Sequence, residues 1–215
     1  MGILRWRDIV DILWSISAGL NFIHGLDLVH GHLHGGNVLI ENIENEQGSI
    51  DAEITDTGLH GPVDKQMSSQ PIYGVVPFVA PEIFNGSMPT KASDIYSFGM
   101  IMWMLSAGVR PYRDRPHNKQ LVQEVCLGLG LRPSVVDGTP TVFSGLMLQC
   151  LDVNPSNRPT ALHLHGIFTS WINTFCDEQS QLFNQFDVAE GIRFANLEKK
   201  FHILPCSVAF VNSLI

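Results

Sequence analysis

Apolar residues return at Trp6, Ile9, Val10, Leu13, Ile16, Leu20 and Ile23, while Arg5, Arg7, Asp8 and Asp11 fall mainly between them. That is the period of an amphipathic helix, ending near Gly25. The period then changes. Val38 to Ile40 and the alternating Ile50-Asp-Ala-Glu-Ile54 read as two strands joined by a polar turn over Glu41 to Ser49, which makes a hairpin. Asp94 to Leu105 is apolar on nearly every face, the pattern of a helix buried on all sides, with Ser93 or Asp94 as its cap. Helical spacing recurs through Leu121, Val122, Val125 and Cys126, again through Phe143, Leu146, Met147, Cys150 and Leu151, and a last helix runs from Thr160 to about Phe175. Gly108 to Pro116 and Arg132 to Pro140 read as turns and loops. Beyond Phe175 the chain turns polar, and residues 176–215 are read as a tail behind a domain over 1–175; Gln179 to Lys199 could form a helix through Leu182, Phe186, Ala189 and Phe194, but the spacing is irregular and no partner is assigned to it. The expected fold is mainly α with small β-hairpins.

Composition narrows the function classes. The 215 residues are 45% hydrophobic and 16% charged, enough for one globular core. A net charge of -8 argues against a nucleic-acid partner. The apolar run from Met100 to Leu105, with Ala107 and Val109 beyond it, is too short to span a bilayer, and no signal peptide opens the chain, so no membrane and a cytoplasmic location are expected. Cys126, Cys150, Cys176 and Cys206 are scattered without a CxxC pair, which suits reduced thiols. Gly128-Leu-Gly130 lacks a third glycine and a preceding strand, so it reads as a turn and not as a phosphate loop.

The candidate chemistry lies in Leu28-Val-His-Gly-His-Leu-His-Gly-Gly-Asn-Val-Leu-Ile40, answered by Asp56-Thr-Gly58. A loop between buried runs presents side chains from a rigid frame, and the hairpin would carry Asn37 and Asp56 to one end. These residues resemble the protein kinase family: His30 to Asn37 is similar to its catalytic loop H-R-D-L-x-x-x-N, and Asp56-Thr-Gly58 to D-F-G. Ala80-Pro-Glu82 matches A-P-E, and Asp152-Val-Asn-Pro-Ser-Asn-Arg-Pro-Thr160 is similar to D-P-x-x-R-P-T. Tyr73 to Val79 resembles the substrate-facing stretch of the tyrosine-kinase-like Ser/Thr group.

The resemblance implies the large C-terminal lobe of a kinase. None of the small-lobe features, a Gly-rich loop, a strand Lys and a helix Glu, is found among the residues, so a lobe lacking the small N-terminal one is expected. It implies ATP and magnesium as cofactors if the chain is functional as a kinase and none otherwise, with Asn37 and Asp56 as metal ligands when ATP binds, Leu39 as the floor under the adenine and Thr55 at the phosphate site. It implies structural roles for His30, for Asp94 as acceptor of catalytic-loop N–H groups, and for Glu82 paired with Arg158. Without the resemblance, Asn37 and Asp56 read equally as turn-forming polar residues.

Three slots depart from the family. His32 stands where the catalytic Asp belongs, His34 where a positive residue usually meets the γ-phosphate, and Val75 where a Thr usually stands. Gly31 replaces the Arg on which an activation-segment phosphate docks, so control through Ser68, Ser69 or Tyr73 by that route is not expected. The expectation is a pseudokinase or truncated kinase that signals by binding a protein partner through the surface facing the small lobe, with an active Ser/Thr or Tyr kinase as the alternative. A distant rival is a metal-dependent hydrolase, because His30, His32 and His34 alternate and an extended loop would aim all three to one side.

Overall fold

A computed structural model describes residues 4–42, 50–56, 75–126 and 131–201. Cys206, Gly58, Ser68, Ser69, Tyr73 and the Gly128-Leu-Gly130 turn lie outside the described residues. Seven helices and one hairpin are described: α1 (Trp6–Gly25), β1 (Val38–Asn42), β2 (Ile50–Ile54), α2 (Pro81–Phe84), α3 (Lys91–Ala107), α4 (Lys119–Cys126), α5 (Thr141–Cys150), α6 (Ala161–Thr174) and α7 (Gln181–Phe201). The strands are antiparallel, with Val38 opposite Ile54 and Asn42 opposite Ile50. That register leaves Asn37 and Thr55 adjacent at the open end, where Thr55 N–H donates to the Asn37 carbonyl at 2.9 Å.

The core is built around α3, in which every residue from Ser93 to Ser106 is buried. Helix α1 lies on α6 and β2, and α5 lies on α3. The α3–α5 approach depends on Gly99: a Cβ there would sit 2.8 Å from Cys150 Cβ and 2.9 Å from Leu151 Cδ2. Helix α3 starts earlier than its apolar run. Thr90 caps it in a reciprocal arrangement with Ser93, so Asp94 is not the cap and its carboxylate is available for other partners.

The segment read as a tail carries a helix that packs on the domain. Residues Gln181–Phe201 form α7, whose Phe186 and Ala189 are buried in the same core. The Phe186 ring packs edge-on against Trp6 at 6.2 Å and Trp171 at 5.6 Å. Two polar contacts tie α7 to distant helix ends: Glu190 Oε2 accepts from the Trp6 N–H at the start of α1, at 3.1 Å, and Arg193 donates to the Ser106 carbonyl at the end of α3, at 2.7 Å. A carboxylate at a helix N-terminus and a guanidinium at a C-terminus each satisfy orphan backbone groups and match the helix dipole. Arg193 interrupts the apolar stripe of α7, which is why the spacing looked irregular.

Burial has an electrostatic consequence on α1. Partial burial, with Asp8 adding to it and Arg7 opposing it, lifts the Asp11 carboxyl to about 6. A carboxyl raised in the folded state binds more protons folded than unfolded, so its contribution to stability falls as pH rises from about 4 to about 6 and stays lost above. D11N is therefore expected to gain about 1 kcal/mol at pH 7.5, after discounting for solvent exposure, and nothing at pH 4. Melting curves at the two pH values check this, with a rise of roughly 2–4 °C at the higher one only. Equal shifts at both would contradict it.

Candidate functional site

The loop between α1 and β1 hangs on one buried carboxylate. Asp94 Oδ1 accepts from the Gly31 N–H at 2.8 Å, and Oδ2 accepts from the His30 N–H at 2.9 Å. Oδ2 also meets His24 Nε2, near the end of α1, at 2.9 Å. Asp94 is 1% exposed, so this charge is held by three polar partners and not by water. His24 was missed in the sequence. The available signal was a histidine four residues after Leu20, on the inward stripe of α1. Gly31 adopts φ 73, a left-handed conformation without steric cost for glycine, so the residue that removes the family's Arg also relaxes the loop backbone.

His30 is buried, with Nε2 on the Thr55 carbonyl at 3.0 Å and Nδ1 accepting from the His32 N–H at 3.3 Å. Asn37 is also buried, and its side-chain Nδ2 donates to the His32 carbonyl at 3.0 Å. These bonds lock the loop to β1 and to the residue preceding Asp56. Asp56 itself lies in the left-handed region at φ 65, and its side chain is 45% exposed. The His32 ring turns toward it, with Nδ1 4.0 Å from Asp56 Oδ2. His34 packs edge-on against His32 at 4.7 Å, and its Nδ1 accepts from the Gly36 N–H at 2.9 Å. Burial, together with His32 and His30, holds His34 below the usual histidine range against the opposing pull of Asp56, which disfavours its charged form.

The histidine-cluster reading is corrected here. Among the described residues no group of three or more His, Cys, Asp or Glu side chains is placed to hold a metal ion. The reason is local: the ring nitrogens of His30 and Nδ1 of His34 face backbone groups of their own loop and of Thr55.

Of the other sequence candidates, Leu39 and Val75 are exposed at 48% and 40%. Val75 precedes the single turn Val76–Phe78, which Ser97 of α3 anchors by donating to the Phe78 carbonyl at 2.7 Å. Glu82 on α2 takes both Arg158 guanidinium ends, at 2.6 and 2.9 Å, and Arg158 also donates to the carbonyls of Ala92 and Asp152. The structure thus gathers His32, His34, Asn37, Thr55 and Asp56 at one end of the hairpin, and leaves Glu82 and Arg158 apart as a structural pair. No described helix is long and apolar enough to cross a membrane.

A family model of the protein tyrosine and serine/threonine kinase matches residues 2–168. The chain is 29% identical over 168 residues to human receptor-interacting serine/threonine-protein kinase 1, an alignment covering 69% of this chain and 24% of that protein. It is 32% identical over 163 residues to the dual serine/threonine and tyrosine protein kinase of Apis mellifera, covering 73% and 16%. It is 29% identical over 160 residues to the probable serine/threonine-protein kinase roco8 of Dictyostelium discoideum, covering 74% and 8%. The chain therefore spans a quarter or less of the length of these relatives.

Proposed function

Since the chain belongs to the protein tyrosine and serine/threonine kinase family, we propose that it serves in signalling as a kinase-like binding lobe in which phosphate transfer is largely lost. One observation carries this reading: the slot of the catalytic carboxylate holds His32, whose ring turns to Asp56 at 4.0 Å. In kinases the residue there orients the substrate hydroxyl and takes its proton. An imidazole brings no negative charge to that task. His34, whose charged form is disfavoured by burial, and the apolar Val75 stand where the family usually has a positive residue and a hydroxyl.

ATP and magnesium still fit part of the site. The amide nitrogen of Asn37 is engaged by the His32 carbonyl, which leaves its side-chain oxygen without a protein partner among the described residues, and the Asp56 carboxylate is half exposed. Magnesium accepts such an oxygen pair and keeps several waters, so Asn37 and Asp56 are the residues that would hold it. When bound, the ion supplies neutralisation of phosphate charge. Leu39 offers an apolar surface of the kind an adenine ring covers, and Thr55 borders the phosphates. The roles of His30, Asp94, Glu82 and Arg158 are to hold the frame. The partner is a protein, met through the exposed surface around Leu39 that a small lobe faces in kinases, and the working location is the cytoplasm.

The retained Asn37 and Asp56 favour the second reading, an active kinase. The two readings separate in a phosphotransfer assay with labelled ATP, magnesium and a generic protein substrate. Incorporation is expected to equal that of the D56A variant. Transfer well above that control would establish the active enzyme.

A further inference from the structure

We infer that the loop from Arg110 to Lys119, between α3 and α4, docks an acidic segment of a protein partner. These ten residues hold Arg110, Arg113, Arg115 and Lys119, four of the chain's 13 Lys and Arg, against one of its 21 Asp and Glu, Asp114. A local positive patch on a chain of net charge -8 is a departure from the rest of its surface.

The loop is built to present these cations and not to neutralise them. Pro111 and Tyr112 are buried, and the Tyr112 hydroxyl donates to the Leu131 carbonyl at 3.2 Å. Tyr112 is held at φ 53, a left-handed conformation that a bulky residue adopts only when its surroundings impose it. His117 Nε2 lies 3.3 Å from the Tyr112 carbonyl. Arg115 alone is spent internally, in a bidentate pair with Glu124 at 2.7 and 2.8 Å that closes the loop onto α4. Arg110, Arg113 and Lys119 are exposed and make no hydrogen bond or ion pair with the described residues. Guanidinium forks and an ammonium left open in this way suit carboxylates.

The small extent of the patch also points to a protein segment. Helix α4, which the loop enters at Lys119, packs on α2 with Cys126 Sγ 3.7 Å from the Pro81 carbonyl. A short acidic segment can sit on the patch alone. A nucleic-acid duplex, a long rod of regularly spaced negative charge, would extend past the patch along a chain of net charge -8. The inference holds whether or not the site transfers phosphate, so its failure and that of the functional reading are distinguishable.

The test is fluorescence anisotropy with a labelled twelve-residue peptide of alternating Glu and Ser, at low and at physiological salt. The protein is expected to bind it, with affinity falling as salt rises, and the charge-reversed R110E/R113E variant to bind roughly tenfold more weakly or worse. The milder R110Q/R113Q pair should fall between, and R7E on the exposed side of α1 should match the parent. No binding at low salt, or equal binding by the parent and both loop variants, would overturn the proposal, as would tighter binding to a duplex oligonucleotide of the same charge.

Discussion

Replacing His32 with aspartate is expected to raise peptide phosphorylation roughly tenfold to ten-thousandfold, the range for a positioned general base, in a protein that carries both lobes of a kinase domain. Kinase catalysis is mostly positioning and electrostatics, and the carboxylate in this slot both orients the substrate hydroxyl and receives its proton. The imidazole is bulkier, carries no negative charge, and lies with Nδ1 4.0 Å from Asp56 Oδ2, so it occupies space beside the carboxylate assigned to the metal. H32D sets two like charges side by side, and these repel until a divalent cation lies between them. The gain should therefore appear only with magnesium and grow with its concentration. Initial rates on a peptide substrate, with and without the substitution, measure it. If the unsubstituted protein already phosphorylates well and H32D leaves turnover unchanged or lower, His32 is itself a working base and the loss of phosphate transfer is refuted.

Arg158→Ala is expected to lower stability by about 3–5 kcal/mol, the cost of breaking one side of a buried ion pair. The Arg158 side chain has no solvent exposure and that of Glu82 only 16%, so the carboxylate left behind would lack both its fork and most of its water. The substitution also strips the carbonyls of Ala92 and Asp152 of their donor and removes the guanidinium that stacks 5.2 Å from the Tyr96 ring. For a chain of this size the melting temperature should fall by roughly 6–20 °C. An apolar double replacement, R158M with E82L, should recover most of that loss, because no charge is then left buried alone. A single-variant change within about 1 kcal/mol would show the pair to be a screened surface bridge.

Periodicity was enough for the mainly helical fold, the hairpin of β1 and β2 and the wholly buried α3, because burial of a face repeats with the geometry of its own element. The order of short motifs was enough for the family, since each preserves a turn or a polar residue at a fixed distance from such an element. Periodicity does not show the partners of the polar residues; those of Glu82 and Arg158, and of Asp94 with the catalytic loop, were expected from the family resemblance alone. By periodicity Asp94 looked like a cap, a place that Thr90 takes, while the resemblance made it the acceptor of catalytic-loop N–H groups; its carboxylate meets those of His30 and Gly31 and also His24, 70 residues away, which no motif named. A helix over Gln179 to Lys199 had no legible partner because Arg193 breaks its apolar stripe, yet that arginine completes the end of α3 while Glu190 serves the start of α1. The direction of the His32 ring, on which the chemistry turns, has no local signal at all. It follows from how the α1–β1 loop and the residue after β2 are brought together. Hydrogen bonds across such separations depend on the angles at which whole helices pack, and a one-dimensional pattern of apolar and polar positions records which face is buried without recording what it meets.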